Sequence, residues 1–263
     1  MKSVVITGST RGIGFAMANS FLETGCMVTV AGRSKESAEN AVSKLSSFHG
    51  AERVAGFPCE VSDLEQVEAL WKAAVQRFGR VDIWVNNAGI AHNHHMLWEL
   101  PAETMQALLN TNLLGTMYGV RIAMEGMLKQ GGGQIYNLEG LGSTGRIQNG
   151  LSGYGMTKAA ITYYSKALVQ EAKDTPVLIG TLRPGMVITD MVLDPFKDRP
   201  EELERVRGIF NTIADRPENV APFLVKEILK NNESGRIIQY MSRLKMMLRF
   251  LTAPFSKRDV FSR

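Results

Sequence analysis

The strongest constraint on this chain is a rhythm: apolar runs of strand length alternate with longer amphipathic stretches. The runs fall near 3–7, 27–31, 53–57, 81–85, 134–138, 177–182 and 236–240. Helical periodicity fills 12–24, 36–47, 63–78, 103–130, 153–173 and 217–230 between them. Runs such as Ile83-Trp84-Val85 are apolar at successive positions, which suits strands covered on both faces. Strand–helix alternation with right-handed crossovers gives an α/β fold, a doubly wound parallel sheet. No repeat, low-complexity tract or composition break marks a linker. The 263 residues read as a single domain, 1–240, followed by a basic, apolar tail, 241–263.

The first strand runs into Thr7-Gly8-Ser9-Thr10-Arg11-Gly12-Ile13-Gly14, which opens the first helix. Glycines let a backbone turn sharply and approach a pyrophosphate, and a helix N-terminus offers unpaired N–H groups to the anion. The GxxxGxG spacing alone is a weak signal. Its place at the first strand–helix junction makes it a dinucleotide site on a Rossmann-type sheet. Gly8 through Gly14 are therefore candidate cofactor-binding residues.

Cofactor choice follows from charge. An NAD site places an acid at the end of the second strand, against the ribose 2′-hydroxyl. Here Val28-Thr29-Val30-Ala31 ends in Gly32-Arg33-Ser34, with no acid. Arg33, Ser34 and Arg11 together make a pocket for a 2′-phosphate, because guanidinium pairs well with phosphate oxygens. NADP(H) is the expected cofactor; a lone Arg33 would only solvate a loop end.

Bulk properties exclude other classes. Hydrophobic content of 44% and charged content of 21% are ordinary for a globular protein. From Arg236 onward there are seven Lys/Arg against one acid, Asp259, a local +6; within a total of +4 the rest of the chain sums to −2. The basicity belongs to the tail, which argues against a nucleic-acid partner. The opening apolar run is too short for a signal peptide and no stretch is long enough to span a membrane. Cys26 and Cys59 form no metal or redox spacing, and a cytoplasmic location with reduced thiols is expected.

Tyr154 and Lys158 lie four apart on a predicted helix and share a face. A free phenol, with pKa ~10, is a poor acid–base catalyst near neutrality; a neighbouring ammonium is expected to draw it down. Tyr154 would then give its proton to a carbonyl oxygen as hydride reaches the carbon. With the glycine loop, Asn86-Asn87-Ala88-Gly89, Asn112 and Tyr154-Gly-Met-Thr-Lys158, the chain resembles the short-chain dehydrogenase/reductase family over nearly its whole length. The resemblance implies that Lys158 also holds the nicotinamide ribose and that Asn112 positions a water linking Lys158 to solvent. It places Asn87, Ala88 and Gly89 on the adenosine side. Glu60-Val61 stands where the family has Asp-Val beside adenine. Pro184, Gly185, Ile188 and Thr189 lie in the loop that meets the carboxamide.

One departure stands out. The family has a Ser-Ser pair after the fifth strand, its second Ser thirteen residues before the Tyr, a count that reaches Leu141 here. Ser143 is the replacement hydroxyl expected to bind the carbonyl oxygen, with Thr144 as fallback. The stretches 128–146, 183–190 and 213–221 resemble the chlorophyll(ide) b reductase group. That likeness implies reduction of a 7-formyl group to hydroxymethyl with NADPH, in a wide apolar cleft under a lid at about 190–215. Another bulky aldehyde, ketone or alcohol is the alternative substrate, and a non-catalytic NADP(H)-binding regulator is the alternative function.

His92, His94 and His95 lack further ligands in sequence, so no metal is expected and the loop reads as solvated at the cleft mouth. In the tail, Leu244, Met247, Leu248 and Leu251 share a helical face with Arg243, Lys245 and Arg249 outside it. Peripheral membrane contact, packing on a second subunit and capping of the cleft all fit. Met246 and Phe250 off that face point toward burial in protein. The family resemblance implies a homodimer or homotetramer through long helices.

Overall fold

The computed structural model describes residues 1–92, 94–253 and 258–261. Seven parallel strands form one sheet: β1 (Ser3–Ile6), β2 (Met27–Gly32), β3 (Val54–Pro58), β4 (Ile83–Asn86), β5 (Gly133–Leu138), β6 (Val177–Arg183) and β9 (Ile237–Gln239), in the order β3-β2-β1-β4-β5-β6-β9. The order reverses between β1 and β4, which leaves a crevice above their carboxyl ends, where open α/β sheets take ligands.

Residue parity explains the continuous apolar runs. Val4, Ile6, Ile83 and Val85 face a core shared with α1 (Gly12–Glu23), α2 (Lys35–His49) and α9 (Pro217–Lys230). Val5, Trp84 and Ile135 face the opposite layer, built by α3 (Leu64–Phe78), α5 (Gly115–Lys129) and α6 (Ser152–Glu171). Both faces are dry, so neither set can be polar. Asp63 begins α3 by accepting from Glu65 N and Gln66 N at 3.0 and 3.3 Å, and Ser34 begins α2 by accepting from Ser37 N.

The predicted helix over 103–130 is three pieces: α4 (Ala102–Leu108), a π-helical turn (Leu109–Leu114) and α5. The wider turn carries Asn112, whose side chain bonds the backbone of Ile90 rather than remaining on a regular helical face.

The segment 190–215, expected as a lid without defined elements, holds α7 (Asp190–Leu193), α8 (Pro200–Ile213) and β8 (Ala214–Asp215). β8 pairs with β7 (Met186–Val187), and Phe210 and Ala214 pack with Ile188, Val192 and Phe196 in a small separate core.

The tail forms α10 (Arg243–Thr252). Its position is set by polar anchors: Arg249 reaches Asp215 Oδ2 at 2.5 Å and Ala214 O at 3.1 Å. Phe250, expected to favour burial, is exposed, and Met246 is half-buried. Residues 254–257 and 262–263 of the tail lie outside the described residues. Cys26 and Cys59 are buried and unpaired. Among the described residues no helix is long and apolar enough to cross a membrane.

Candidate active site

The floor of the crevice is made by close backbone approach. Gly8 has φ +62°, and a Cβ on it would lie 2.7 Å from Ala88 Cα. A Cβ on Gly14 would meet Asn87 Nδ2 at 2.4 Å and Gly8 O at 2.7 Å. Asn87 braces the loop by donating from Nδ2 to Thr7 O and Gly8 O, at 2.8 and 2.9 Å, and Thr7 Oγ1 accepts from Asn87 N and Ala88 N. Asn87 Oδ1 remains buried with no hydrogen-bond partner. No side chain caps α1, which begins at Gly12, and its first turn carries no acid. Unsatisfied N–H groups at a glycine turn beside an orphaned buried acceptor fit a dinucleotide's pyrophosphate and hydroxyls.

The loop's side chains divide. Ser9, expected to contact cofactor, is fully buried; its hydroxyl donates to Ile6 O and accepts from Ala31 N, at 2.6 and 3.0 Å. It ties β1 to β2 instead, because both backbone groups sit where the loop leaves the sheet. Ile13 packs into the core beneath, and Thr10 lies against Gly32. Arg11 reaches Asp190 at the foot of the lid, 3.2 Å away, with both side chains exposed. Arg33 and Ser34 are exposed at the end of β2, and the Arg33 guanidinium pairs with nothing among the described residues.

Beyond the end of β3, Glu60 Oε1 accepts from Ser62 N and Ser62 Oγ, and Val61 is buried against Gly115. Pro184 is buried, Gly185 abuts Met241, Ile188 joins the lid core, and Thr189 lies 3.4 Å from a Cβ placed on Gly12.

Helix α6 carries Tyr154 and Lys158. Two buried side-chain contacts link its layer to the sheet: Asn86 Nδ2 donates to Asn137 Oδ1 at 2.9 Å, and Asn137 Nδ2 donates to Ser165 Oγ at 2.9 Å. Lys158 is buried and donates from Nζ to Leu138 O at 3.0 Å. Its ammonium lies 5.8 Å from the Tyr154 ring centroid. Asn112, fully buried, accepts from Ile90 N at 2.8 Å and donates to Ile90 O and Thr157 Oγ1. The structure thus brings Tyr154, Lys158, Asn112 and Gly89 to one wall.

The proton chemistry differs from expectation. Burial pushes the Tyr154 phenol up to about 12 rather than down. Burial also lowers Lys158 to about 8, with Glu139 opposing it. The ammonium is engaged with Leu138 O and lies over the ring rather than hydrogen-bonded to the phenol oxygen, so desolvation decides the sign.

The loop after β5 corrects the residue count. Gly140, not Leu141, faces the phenol: a Cβ on Gly140 would stand 2.6 Å from Tyr154 Oη. Ser143 accepts from Gly140 N at 3.1 Å and donates to Lys158 O at 3.2 Å. Its hydroxyl closes the loop onto α6, and Thr144 is exposed. The sequence reading also passed over Glu139, which is buried at the edge of β5 and ion-paired with Arg183 Nε at the end of β6. An acid in a run of Gly and Leu after a strand was the available signal.

His92, expected in solvent, is buried, and its Nε2 accepts from Tyr154 N at 3.4 Å. It sits against the start of α6 because Gly153 leaves room for the ring. His94 meets Gln148, and burial, with Arg199 and His92 nearby, lowers its pKa. No cluster of three or more metal-ligating side chains occurs among the described residues.

Comparison with known proteins identifies the family. The short chain dehydrogenase family model matches residues 2–200. The chain is 34% identical to the probable chlorophyll(ide) b reductase NYC1 of Arabidopsis thaliana, over 96% of this chain and 53% of that protein. It is 35% identical to chlorophyll(ide) b reductase NOL of the same plant, over 99% of this chain and 73% of the relative. The chain therefore spans about half the length of the first of these relatives. A 3-ketoacyl-(acyl-carrier-protein) reductase from Brucella melitensis, solved with NADH, shares the fold at TM-score 0.79 and 23% identity, covering 91% of this chain and 96% of that one. The chain is an oxidoreductase of the short-chain dehydrogenase/reductase family.

Proposed function

We propose that this protein reduces a carbonyl group with NADPH, and that its substrate is a formyl-bearing macrocycle of the chlorophyllide b kind. The observation that carries the reading is the pair on α6, half-buried Tyr154 beside buried Lys158, at the carboxyl edge of β5. NADPH, bound along the glycine loop, supplies the hydride. Tyr154 holds the proton that the carbonyl oxygen takes up as negative charge develops there. Burial keeps the phenol in its protonated form, the form that carbonyl reduction uses. Lys158 stabilises charge near the phenol and binds the nicotinamide ribose, while Asn112 fixes the loop through Ile90.

The substrate class rests on the likeness to chlorophyll(ide) b reductases. The cofactor choice rests on Arg33, exposed and unpaired where an NAD site carries an acid. A homo-oligomer belongs to the same reading, since Met117 on α5 and Met156 and Tyr163 on α6 are exposed.

The test is NADPH oxidation with chlorophyllide b and a panel of bulky aldehydes and ketones. Tyr154→Phe should lower turnover by about 10²–10⁴-fold while NADPH still binds. Turnover that survives the substitution refutes Tyr154 as proton donor. Arg33→Asp should weaken NADPH binding by about tenfold or more and leave NADH nearly unchanged. Equal losses for both cofactors would eliminate the 2′-phosphate pocket.

A further inference from the structure

Helix α10 is turned inside out. Two of its three cations face the body: Arg249 bonds Asp215 Oδ2 and Ala214 O, and Lys245 Nζ lies 3.4 Å from the centroid of the Tyr240 ring. Tyr240 in turn donates to Asp215 Oδ2 at 2.7 Å, and Arg258 approaches Asp215 Oδ1 at 2.9 Å. Asp215 is buried at the end of the lid, so several polar contacts fix the rotation of the helix. The opposite side presents Leu244, Met247, Leu248, Phe250 and Leu251, each between 51 and 65% exposed. A helix whose polar side is consumed internally and whose apolar side faces outward is built to meet something apolar.

Charge selects the occupant. From Ile237 through Arg258 the sequence contains five Lys/Arg and no acid. Asp215 is one carboxylate against Arg249 and Arg258, so the anchor retains positive charge, and exposed Arg243 adds to it at the start of the apolar face. A second copy docked two-fold on this face would bring exposed Arg243 toward its counterpart, with no acid on α10 to offset it. An anionic lipid surface satisfies both features, taking the apolar side chains into the acyl boundary and exposed Arg243 among headgroups, within the positive field of the anchor.

We propose that α10 docks the protein on anionic membranes. Because α10 packs against α8, docking places the lid beside the lipid surface, where a lipid-borne substrate would enter. The docking does not depend on the identity of the reaction, and vesicle binding reads it separately from turnover.

The intact chain is floated with vesicles of phosphatidylcholine alone and of equal parts phosphatidylcholine and phosphatidylglycerol. It should rise with the anionic vesicles, remain behind with the neutral ones, and lose binding as salt approaches about 1 M. The double variant Leu248→Ser with Leu251→Ser should lower vesicle partitioning at least tenfold while melting and turnover of a water-soluble carbonyl stay unchanged. No flotation of the intact chain overturns the proposal, as does equal flotation of the double variant. A dimer in sedimentation that the double variant dissociates would assign the face to a second copy and overturn it equally.

Discussion

The glycine loop and the lid with its tail lie at the same edge of the sheet but are held by opposite means. At the loop, position is enforced by contact: Gly8, Gly14, Asn87 and Ala88 approach so closely that one added carbon atom collides with backbone. In the lid and tail, position is enforced by charge, through Arg11–Asp190, Arg207–Asp259 and the two arginines on Asp215. Burial raises the Asp215 pKa, but hydrogen bonds from Asn219, Tyr240 and Arg249 outweigh it and hold the carboxyl well below its ordinary range. Packing that tight permits one arrangement. Exposed ion pairs contribute little and can exchange partners, as Arg11 would on turning from Asp190 toward a phosphate. The difference suits a rigid cofactor cradle facing a cover that opens.

The comparison breaks most directly at Gly14. Gly14→Ala places a Cβ 2.4 Å from Asn87 Nδ2, 2.7 Å from Gly8 O and 2.9 Å from Ser9 Cα. Two of those three neighbours are main-chain atoms, which cannot rotate away. Denaturant unfolding should show a loss of about 3 kcal/mol, together with weakened NADPH binding. A loss below about 0.5 kcal/mol would mean that the loop yields, and the contrast with the lid would disappear.

Much of the contact-built half was legible in the sequence because its signals are local. A glycine spacing after a strand, or Tyr154 and Lys158 four apart on a helix, translates directly into geometry. The loop after β5 was not legible by counting, because residues in a turn do not convert to distance; Gly140 rather than Leu141 reached the phenol. A hydroxyl in a phosphate loop and one tying two strands look alike in sequence, so the bonds of the Ser9 hydroxyl to Ile6 O and Ala31 N are not legible there. The tail's apolar stripe was visible, but which face turns inward depends on Asp215, some thirty residues away in sequence. His92 was hidden for the same reason, its partner being the backbone of Tyr154.

A second measurement sharpens the contrast at the catalytic wall, where burial opposes stability. Lys158 falls from an ordinary 10.5 to about 8 on folding. Below about 8 both states bind the proton, and the folded state bears the full cost of a desolvated ammonium. Between about 8 and 10.5 the unfolded chain binds more protons, so stability rises with pH in that window. Lys158→Met should therefore stabilise the protein by roughly 2 kcal/mol at neutral pH while removing turnover. The gap between variant and wild type should narrow by pH ~9.5, before tyrosines ionise appreciably. Parallel stability–pH curves for the two proteins would show that Lys158 is solvated after all.

The smallest effect tests the looseness of the charge-held half. Gly208 lies exposed within α8, and a Cβ there meets nothing within 4 Å. Glycine inside a helix costs about 0.5–1 kcal/mol relative to alanine, because the unfolded chain has more freedom to lose. Gly208→Ala should recover that amount in equilibrium unfolding. The same exchange of hydrogen for methyl would thus stabilise the lid and destabilise the loop. If the cover must flex for a bulky substrate to enter, stiffening α8 should also slow turnover of the largest aldehydes more than that of small ones. A uniform effect across substrate sizes would show that entry of bulky substrates does not depend on the flexibility of α8.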